Sequence, residues 1–212
     1  MLSYAGTMKL VKRYGIPVPA QALVNTEKEL EKAAGSIGYP LVVKAVSSQV
    51  SHKTEAKAVI TNITGIENAK AAFMEVQDNI RKASPNARIE GVLVQRQIEG
   101  HETIIGGKED SQFGPVIMFG GFGGVFVELF RDTSFRLCPV TKREALDMIS
   151  ETRGAKVMEG FRNIPKRDVG ALADALVKVS EMIAAEKVKE LDINPLFVSK
   201  KGVYAADVRI VL

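Results

Sequence analysis

The stretch that decides the fold is ELDINPLFVSKKGVYAADVRI, Glu190 to Ile210. Two apolar runs flank a Lys-Lys-Gly turn, at residues 191–198 and 203–208, and this arrangement predicts an antiparallel hairpin. Asp192 and Asn194 are two residues apart, so they lie on the same face of the first strand. Asp207 belongs to the second run, where it can face Asn194 across the hairpin.

These three residues suggest a metal site. Converging carboxylate and amide oxygens suit Mg²⁺, which takes hard oxygen ligands and shares its shell with substrate phosphates and water. The alternative is structural, because Asp, Asn and Pro are also turn formers. From the residues alone, both interpretations stay open.

The run LVVKAV, residues 41–46, has the nearly continuous apolar character of a buried strand, and a second strand is expected at 58–63. Lys44 interrupts the apolar run, and its ammonium group must reach either an anion or solvent. A contact with phosphate is the functional interpretation. A lysine that reaches solvent from the edge or end of a strand is the structural one.

His52 lies in the polar loop SSQVSHKTE that follows this strand. A neutral imidazole on a loop beside lysines can carry a phosphoryl group transiently, although a solvated histidine is the simpler interpretation. The second histidine, His101, belongs to the turn Glu99–Gly100–His101, and we expect it to be part of the surface structure.

The remaining pattern alternates helices and strands without an internal repeat, so the predicted class is mixed α/β with substantial antiparallel sheet. Helices are expected at 7–14, 26–34, 66–82, from Thr141 onward and at 168–185, and further strands at 20–24, 88–98, 102–107, 115–119 and 134–137. The strands at 88–98 and 102–107 are expected to be joined by the tight turn at 99–101. A lobe boundary is placed between residues 86 and 87, giving regions 1–86 and 87–212.

A glycine cluster, GGFGG at residues 120–124, follows one of these strands. It lacks the Gly-x₄-Gly-Lys-Ser/Thr pattern of a Walker A loop. Such glycines either permit positive φ angles or let backbone N–H groups approach phosphate. Arg131, Asp132 and Arg136 follow, a mixture of charges that suits either nucleotide binding or a surface of salt bridges.

The composition of the chain narrows the class of protein. The 212 residues carry 29 Lys plus Arg and 25 Asp plus Glu, a formal net charge of +4, with basic and acidic residues interleaved. This is weak support for nucleic-acid binding. One cysteine and two histidines exclude an internal disulfide and a Cys/His zinc site. We expect neither a membrane span nor a signal peptide, and hence a cytoplasmic protein.

Taken together, several segments resemble the β subunit of ADP-forming acetyl-CoA (acyl-CoA) synthetase, an ATP-grasp protein related to the β chain of succinyl-CoA synthetase. The segments that carry the resemblance are YPLVVKAVSSQVSHKTE, GVLVQRQIEGHETIIGGKEDSQFGPVIMFGGFGGVFVE, DTSFRLCPV, LADALVKVS and ELDINPLFV followed by AADVRI. The resemblance implies an ATP-grasp fold, with two lobes of antiparallel sheet and flanking helices around a nucleotide cleft. It also implies the reaction of acyl-CoA, ADP and phosphate to give free acid, CoA and ATP.

The resemblance further implies a role for each candidate residue. His52 matches a histidine that receives a phosphoryl group from a phosphohistidine of an α subunit and delivers it to ADP. The nucleotide-binding positions are Lys44 for phosphates, Gln95, Arg96 and Ile98 at the adenine hinge, and Glu102 near the ribose, with Arg136 nearby.

Asn194 and Asp207 match the Mg²⁺ ligands, with Asp192 as a weaker third. The implied partner is an α subunit that carries the CoA-binding domain, in an α2β2 heterotetramer.

The chain departs from the family pattern at three places, one of which is the glycine cluster at 120–124, which is one residue longer than usual. Lys57 and Ala58 stand where the family usually has paired glycines, and Asn163 stands where a glycine is expected after Arg162. These departures keep a second hypothesis open, a non-catalytic module that binds nucleotide as a sensor. A third hypothesis, nucleic-acid binding, rests only on the basic isoelectric point.

Overall fold

The protein is described by a computed structural model that covers residues 1–47, 49, 57–124 and 131–212. The chain divides into two compact units. The smaller unit is Pro19–Gln97, and the larger unit combines Met1–Val18 with Ile98–Leu212. Each unit is an antiparallel sheet with flanking helices, which confirms the mixed α/β class predicted from the sequence.

In chain order the described elements are α1 (Tyr4–Arg13), β1 (Gln21–Val24), α2 (Glu27–Ile37), β2 (Leu41–Val46), β3 (Val59–Ile63), α3 (Ile66–Ala83), β4 (Gly91–Arg96), β5 (His101–Asp110), β6 (Gly114–Gly120), β7 (Thr133–Leu137), α4 (Lys142–Ser150), α5 (Arg153–Met158), α6 (Val169–Ala185), β8 (Glu190–Val198), β9 (Val203–Ala205) and β10 (Val208–Val211). None of the described helices is long and apolar enough to cross a membrane.

The smaller unit is built on a sheet with the strand order β1-β4-β2-β3. Alternate residues of β2, among them Val43 and Ala45, pack with the apolar stripe of α3, which includes Phe73 and Val76. Lys44 has the opposite orientation, because successive side chains of a strand point to opposite faces. The sheet therefore turns Lys44 away from its helical layer.

The larger unit is built on a six-stranded sheet in which β10-β8-β5-β6-β7 are neighbours and β9 pairs with β8. The long helix α6 packs on one face, where Ile105, Ile117 and Ile193 are fully buried. We call this the core face. The residues between them point to the opposite face, which we call the second face.

One row of paired residues crosses the second face from β10 to β7. Its members are Arg209, Asp192, Gly106, Met118 and Phe135 in that order. The polar end of the row lies on β10 and β8, and the apolar end lies on β6 and β7. The second face thus places the candidate metal ligand of β8 beside a basic residue of β10.

Two expectations about the middle of the chain are corrected by the structure. The strands β4 and β5 do not form a hairpin, because β4 pairs with β1 and β2 whereas β5 pairs with β6 and β8. The residues between them link the two units, with the division between Gln97 and Ile98. The boundary at 86/87 differs from this division because β4 completes the sheet of the smaller unit.

Helix ends follow the predicted capping signals closely. Thr141 and Glu144 form a reciprocal capping box at α4, and Thr26 accepts a hydrogen bond from the Glu29 N–H at α2. The helix α2 was expected to end near Gly35 but continues to Ile37. It ends there because Gly38 adopts a φ of 77°, a value that terminates a helix readily only at glycine.

Candidate functional site

A buried polar chain crosses the smaller unit. Lys44 is 5% exposed and Gln95 is 2% exposed. The Lys44 ammonium donates to Gln95 Oε1 at 3.1 Å, and Gln95 Nε2 donates to Gln21 Oε1 at 2.5 Å. Since β2 is an inner strand, Lys44 is not an edge lysine that reaches solvent. A buried ammonium is costly unless it faces oxygen acceptors, and Gln95 supplies one of them here.

The residues expected at the adenine hinge have different environments. Arg96 donates to the backbone oxygen of Tyr39, and the Gln97 amide exchanges hydrogen bonds of 2.7 Å with Asn62. Ile98 is half-buried and begins the larger unit. Arg96 is therefore held within the smaller unit by Tyr39, and Ile98 marks the crossing of the chain from one unit to the other.

The segment Gly120–Gly124, which we call the glycine run, is fixed to the larger unit through its backbone. The Gly121 N–H donates to Asp132 O at 3.0 Å, and the Gly123 N–H donates to Glu102 O at 2.8 Å. A Cβ atom on Gly121 would lie 2.5 Å from an oxygen of Asp132. Real Cβ atoms essentially never come this close to another atom, and Thr152 Cβ would also lie only 2.8 Å away, so any side chain at residue 121 would force its neighbours to shift.

Asp132 has a structural role that the sequence did not reveal. Its buried carboxylate accepts the N–H groups of Arg153 and Gly154 at 2.7 and 2.9 Å, at the start of α5. A carboxylate at this position satisfies donors that have no partner within the helix. Asp132 therefore joins α5 to the glycine run, instead of serving as a solvated surface charge.

The far end of the glycine run reaches the predicted metal ligands. The Gly124 N–H donates to Asn194 Oδ1 at 3.3 Å, with Gly124 at a φ of 58°. The Asn194 N–H donates to Asp207 O at 3.2 Å, so the two residues face each other as the hairpin pattern predicted. An amide oxygen has two lone pairs, so Asn194 Oδ1 can accept from Gly124 and still bind a cation.

Asp192 lies on the second face next to these residues. Burial raises the pKa of its carboxyl group, an effect that Arg209 partly offsets and Asp207 adds to. Arg209 is opposite Asp192 in the strand register and was not singled out from the sequence. Its position in the run AADVRI, two residues after the candidate ligand Asp207, is the signal that would have identified it.

The donor set fits a hard divalent cation. Asp192, Asn194 and Asp207 offer only oxygen atoms, and Mg²⁺ binds through one or two carboxylates while it keeps several waters. Within the described residues there is no group of three or more His, Cys, Asp or Glu side chains that could hold a metal ion.

Glu102 lies beside the same site. Its side chain is exposed, and its Oε2 atom is 3.5 Å from the position that a Cβ on Gly124 would take. Its backbone oxygen accepts the Gly123 N–H. The structure therefore brings together Glu102, the glycine run, Asn194 and Asp207 within the larger unit.

His101 is not the surface turn residue that was expected. It begins β5, its ring is half-buried, and its Nε2 atom lies 2.7 Å from Gly121 O. Its ring also packs edge-to-face on Phe122, with centroids 5.3 Å apart. Burial lowers the pKa of His101, with the hydrogen bond to Gly121 acting in the opposite direction.

Arg136 is placed away from the candidate metal ligands. Its guanidinium group forms a two-pronged ion pair with Glu151 at the end of α4. In the strand register Arg136 is opposite Ile117, whose side chain is on the core face. Arg136 therefore points to the helical side of the sheet, and the salt-bridged surface is the interpretation that the structure favours.

His52, the candidate phosphoryl carrier, lies outside the described residues. The neighbouring departure from the family pattern is described at Lys57, which has a φ of 50°. Its carbonyl accepts a hydrogen bond of 2.8 Å from Asn79. Lys57 thus adopts the left-handed conformation that glycine takes most easily.

The comparisons with known proteins agree with this architecture. The family model described as an ATP-grasp domain matches residues 1–212. The β subunit of acetate–CoA ligase (ADP-forming) I from Pyrococcus furiosus is 42% identical over 206 residues, which cover 96% of this chain and 88% of that protein.

Two solved structures of an acetyl-coenzyme A synthetase from Ca. Korarchaeum cryptofilum superpose on the whole chain. One, in complex with coenzyme A and Ca-AMPCP, has a TM-score of 0.93 at 40% identity and 93% coverage of that chain. The other contains coenzyme A and Mg-AMPPCP, with a phosphohistidine segment pointing towards the nucleotide-binding site. Its TM-score is 0.83 at 37% identity, and 92% of that chain is covered.

Proposed function

The chain belongs to the ATP-grasp family and, within it, to the β subunits of ADP-forming acetate–CoA ligases, and we propose that it is the nucleotide-binding subunit of such a ligase. The reaction converts acyl-CoA, ADP and phosphate to free acid, CoA and ATP. The observation that carries the proposal is the hydrogen bond from Gly124 to Asn194 beside Asp207. It joins a glycine-rich segment of the type that binds phosphate to an oxygen-donor set that suits Mg²⁺.

The proposed nucleotide-binding residues are described for each unit by itself. In the smaller unit, Lys44 donates to phosphate oxygens, and Gln95 holds the ammonium group in place. In the larger unit, Asn194, Asp207 and Asp192 hold the metal, and Glu102 accepts from the ribose. A bound Mg²⁺ supplies positive charge that neutralises phosphate oxygens, which is most of what phosphoryl transfer requires.

His52 is proposed to be the phosphoryl carrier. Its unprotonated ring nitrogen attacks the phosphorus of a phosphohistidine on the partner subunit, so that one P–N bond forms as the other breaks. A β-phosphate oxygen of ADP then attacks the same phosphorus, and the bond to His52 breaks. This second transfer yields ATP and returns the imidazole to its starting state.

The proposed partner is an α subunit that carries the CoA-binding domain and the first phosphohistidine. The support is the P. furiosus relative, which is named as one subunit of its ligase. We propose an α2β2 assembly in the cytoplasm. A reducing compartment fits Cys138, a lone cysteine whose pKa is raised to about 12 by burial and which is therefore a poor nucleophile.

The test is reconstitution with the α subunit, acetyl-CoA, phosphate, ADP and Mg²⁺, with ATP formation as the readout. His52→Ala is expected to abolish ATP formation while ADP binding, followed by thermal shift, is retained. Tyr14→Phe is a matched control, because it removes a hydrogen bond to Glu186 in the larger unit without touching a proposed site residue. An unchanged rate in His52→Ala would exclude the carrier role, whereas ADP binding by a wild-type chain that forms no ATP would favour the sensing module.

A further inference from the structure

His101 is linked to the candidate metal ligand Asn194 through the four consecutive residues Gly121 to Gly124. Its ring contacts the glycine run twice, through the 2.7 Å hydrogen bond to Gly121 O and through the ring of Phe122. Since a carbonyl oxygen only accepts, His101 Nε2 must carry the proton of this hydrogen bond. His101 is thus the side chain that holds the first half of the run on β5.

The second half of the run is held by the next residue of the same strand. The Glu102 backbone oxygen accepts from Gly123, and the following N–H, that of Gly124, donates to Asn194 Oδ1. β5 therefore fixes the run at two adjacent residues, once by a side chain and once by the backbone. The position of the Gly124 N–H depends on both attachments.

We propose that His101 is a positioning residue for the metal site, which fixes the glycine run so that Gly124 orients the carboxamide of Asn194 towards the cation. This inference rests on the proposed function, because it assigns His101 a role at the proposed Mg²⁺ ligand. Groups that orient a metal ligand contribute measurably to metal affinity, although they do not contact the ion. His101 does not contact the substrate and is not a catalytic residue.

The experiment measures Mn²⁺ binding to the full chain in the presence of ADP, by titration calorimetry. Mn²⁺ serves as the probe because it shares the preference of Mg²⁺ for oxygen ligands. His101→Leu is expected to weaken Mn²⁺ binding by about three- to tenfold, the typical effect of losing one hydrogen bond. ADP binding without metal is expected to be unchanged.

His101→Gln is the rescue variant, because its amide N–H₂ can reach the position of the ring N–H. It is expected to bind Mn²⁺ within about twofold of the wild type, since the donor is kept. Tyr14→Phe, which loses a hydrogen bond of 2.9 Å elsewhere in the larger unit, is expected to behave as the wild type. If His101→Leu does not fold, His101→Asn, which is polar but too short, replaces it.

Asp207→Asn separates this inference from the proposed function. If Asp207→Asn loses Mn²⁺ binding and His101→Leu or His101→Asn retains it, the positioning role is overturned and the metal site stands. Equal weakening in His101→Leu and His101→Gln would also overturn it, because the donor would then be irrelevant. If Asp207→Asn binds Mn²⁺ as the wild type does, the proposed metal site itself fails.

Discussion

Gly154→Ala tests whether the glycine run is held by backbone contact. A Cβ atom on Gly154 would lie 2.1 Å from Gly121 O and 2.5 Å from Gly121 C. These are backbone atoms of the run, and they cannot rotate away as the end of a flexible side chain can. Overpacking of a dense interior costs about 1–3 kcal/mol, and we expect the upper end, about 3 kcal/mol.

For a chain of this size, a loss of about 3 kcal/mol lowers the melting temperature by about 6–12 °C. Thermal unfolding followed by circular dichroism measures this change. Because the run must shift to admit the methyl group, Mn²⁺ affinity in the presence of ADP should fall as well. Both effects arise from the same displacement, so they should appear together.

Gly35→Ala is the matched control, because it is the same chemical change in open space. Gly35 lies inside α2, and no atom lies within 4 Å of the position of an added Cβ. Alanine is favoured over glycine inside a helix by about 0.8–1.0 kcal/mol, so this variant should be stabilised. A Gly154→Ala protein as stable as the wild type would show that backbone contact with Gly154 does not hold the glycine run.

Three further changes should have effects of different kinds. Lys44→Met should keep the fold, because the neighbouring strand residues are apolar, and should weaken ADP binding by about tenfold or more in calorimetry, the scale of a lost charge-assisted hydrogen bond. Lys57→Gly should raise the melting temperature by a few degrees, because glycine relieves a left-handed backbone conformation that costs about 1 kcal/mol. Two hydrogen bonds from Thr141 lower the pKa of Glu144, the larger effect coming from the Thr141 N–H and the smaller from its hydroxyl. The ionised Glu144 carboxylate therefore stabilises the folded protein above the ordinary pKa of 4.5, and this stabilisation is lost as pH falls through the lowered pKa of the folded state. Glu144→Gln should therefore melt below the wild type near neutral pH, and the difference should vanish in acid.

Local sequence patterns predicted the secondary structure correctly where the pattern is compatible with only one type of element. The helix at 66–82 was predicted correctly because its apolar residues recur at helical spacing and Pro85 stops the helix. All five residues of this stripe are buried, namely Ala69, Ala72, Phe73, Val76 and Ile80. The antiparallel pairing near the end of the chain was also predicted correctly, because Asn194 lies opposite Asp207. The second strand, predicted at 203–208, is instead divided into β9 and β10, and Asp207 lies between them.

The features that the sequence did not predict depend on contacts between residues that are far apart in the chain. The residues at 99–101 have the composition of a tight turn, but they connect two sheets, and strand pairing across the chain decides between the two outcomes. Lys44 could have been a lysine at a strand edge, because only the sheet order shows that β2 is an inner strand. His101 was placed at the surface because Gly121, its partner, is distant in sequence.

The identity of the phosphoryl carrier is the central claim, and a single turnover tests it most directly. The chain is mixed with its α subunit, acetyl-CoA and ³²P-labelled phosphate, and the label is located by peptide mapping under alkaline conditions. If His52 is the carrier, an acid-labile label is found on the peptide that contains His52, and ADP and Mg²⁺ then convert this label to labelled ATP. Labelled ATP formed without any label on the His52 peptide would contradict it.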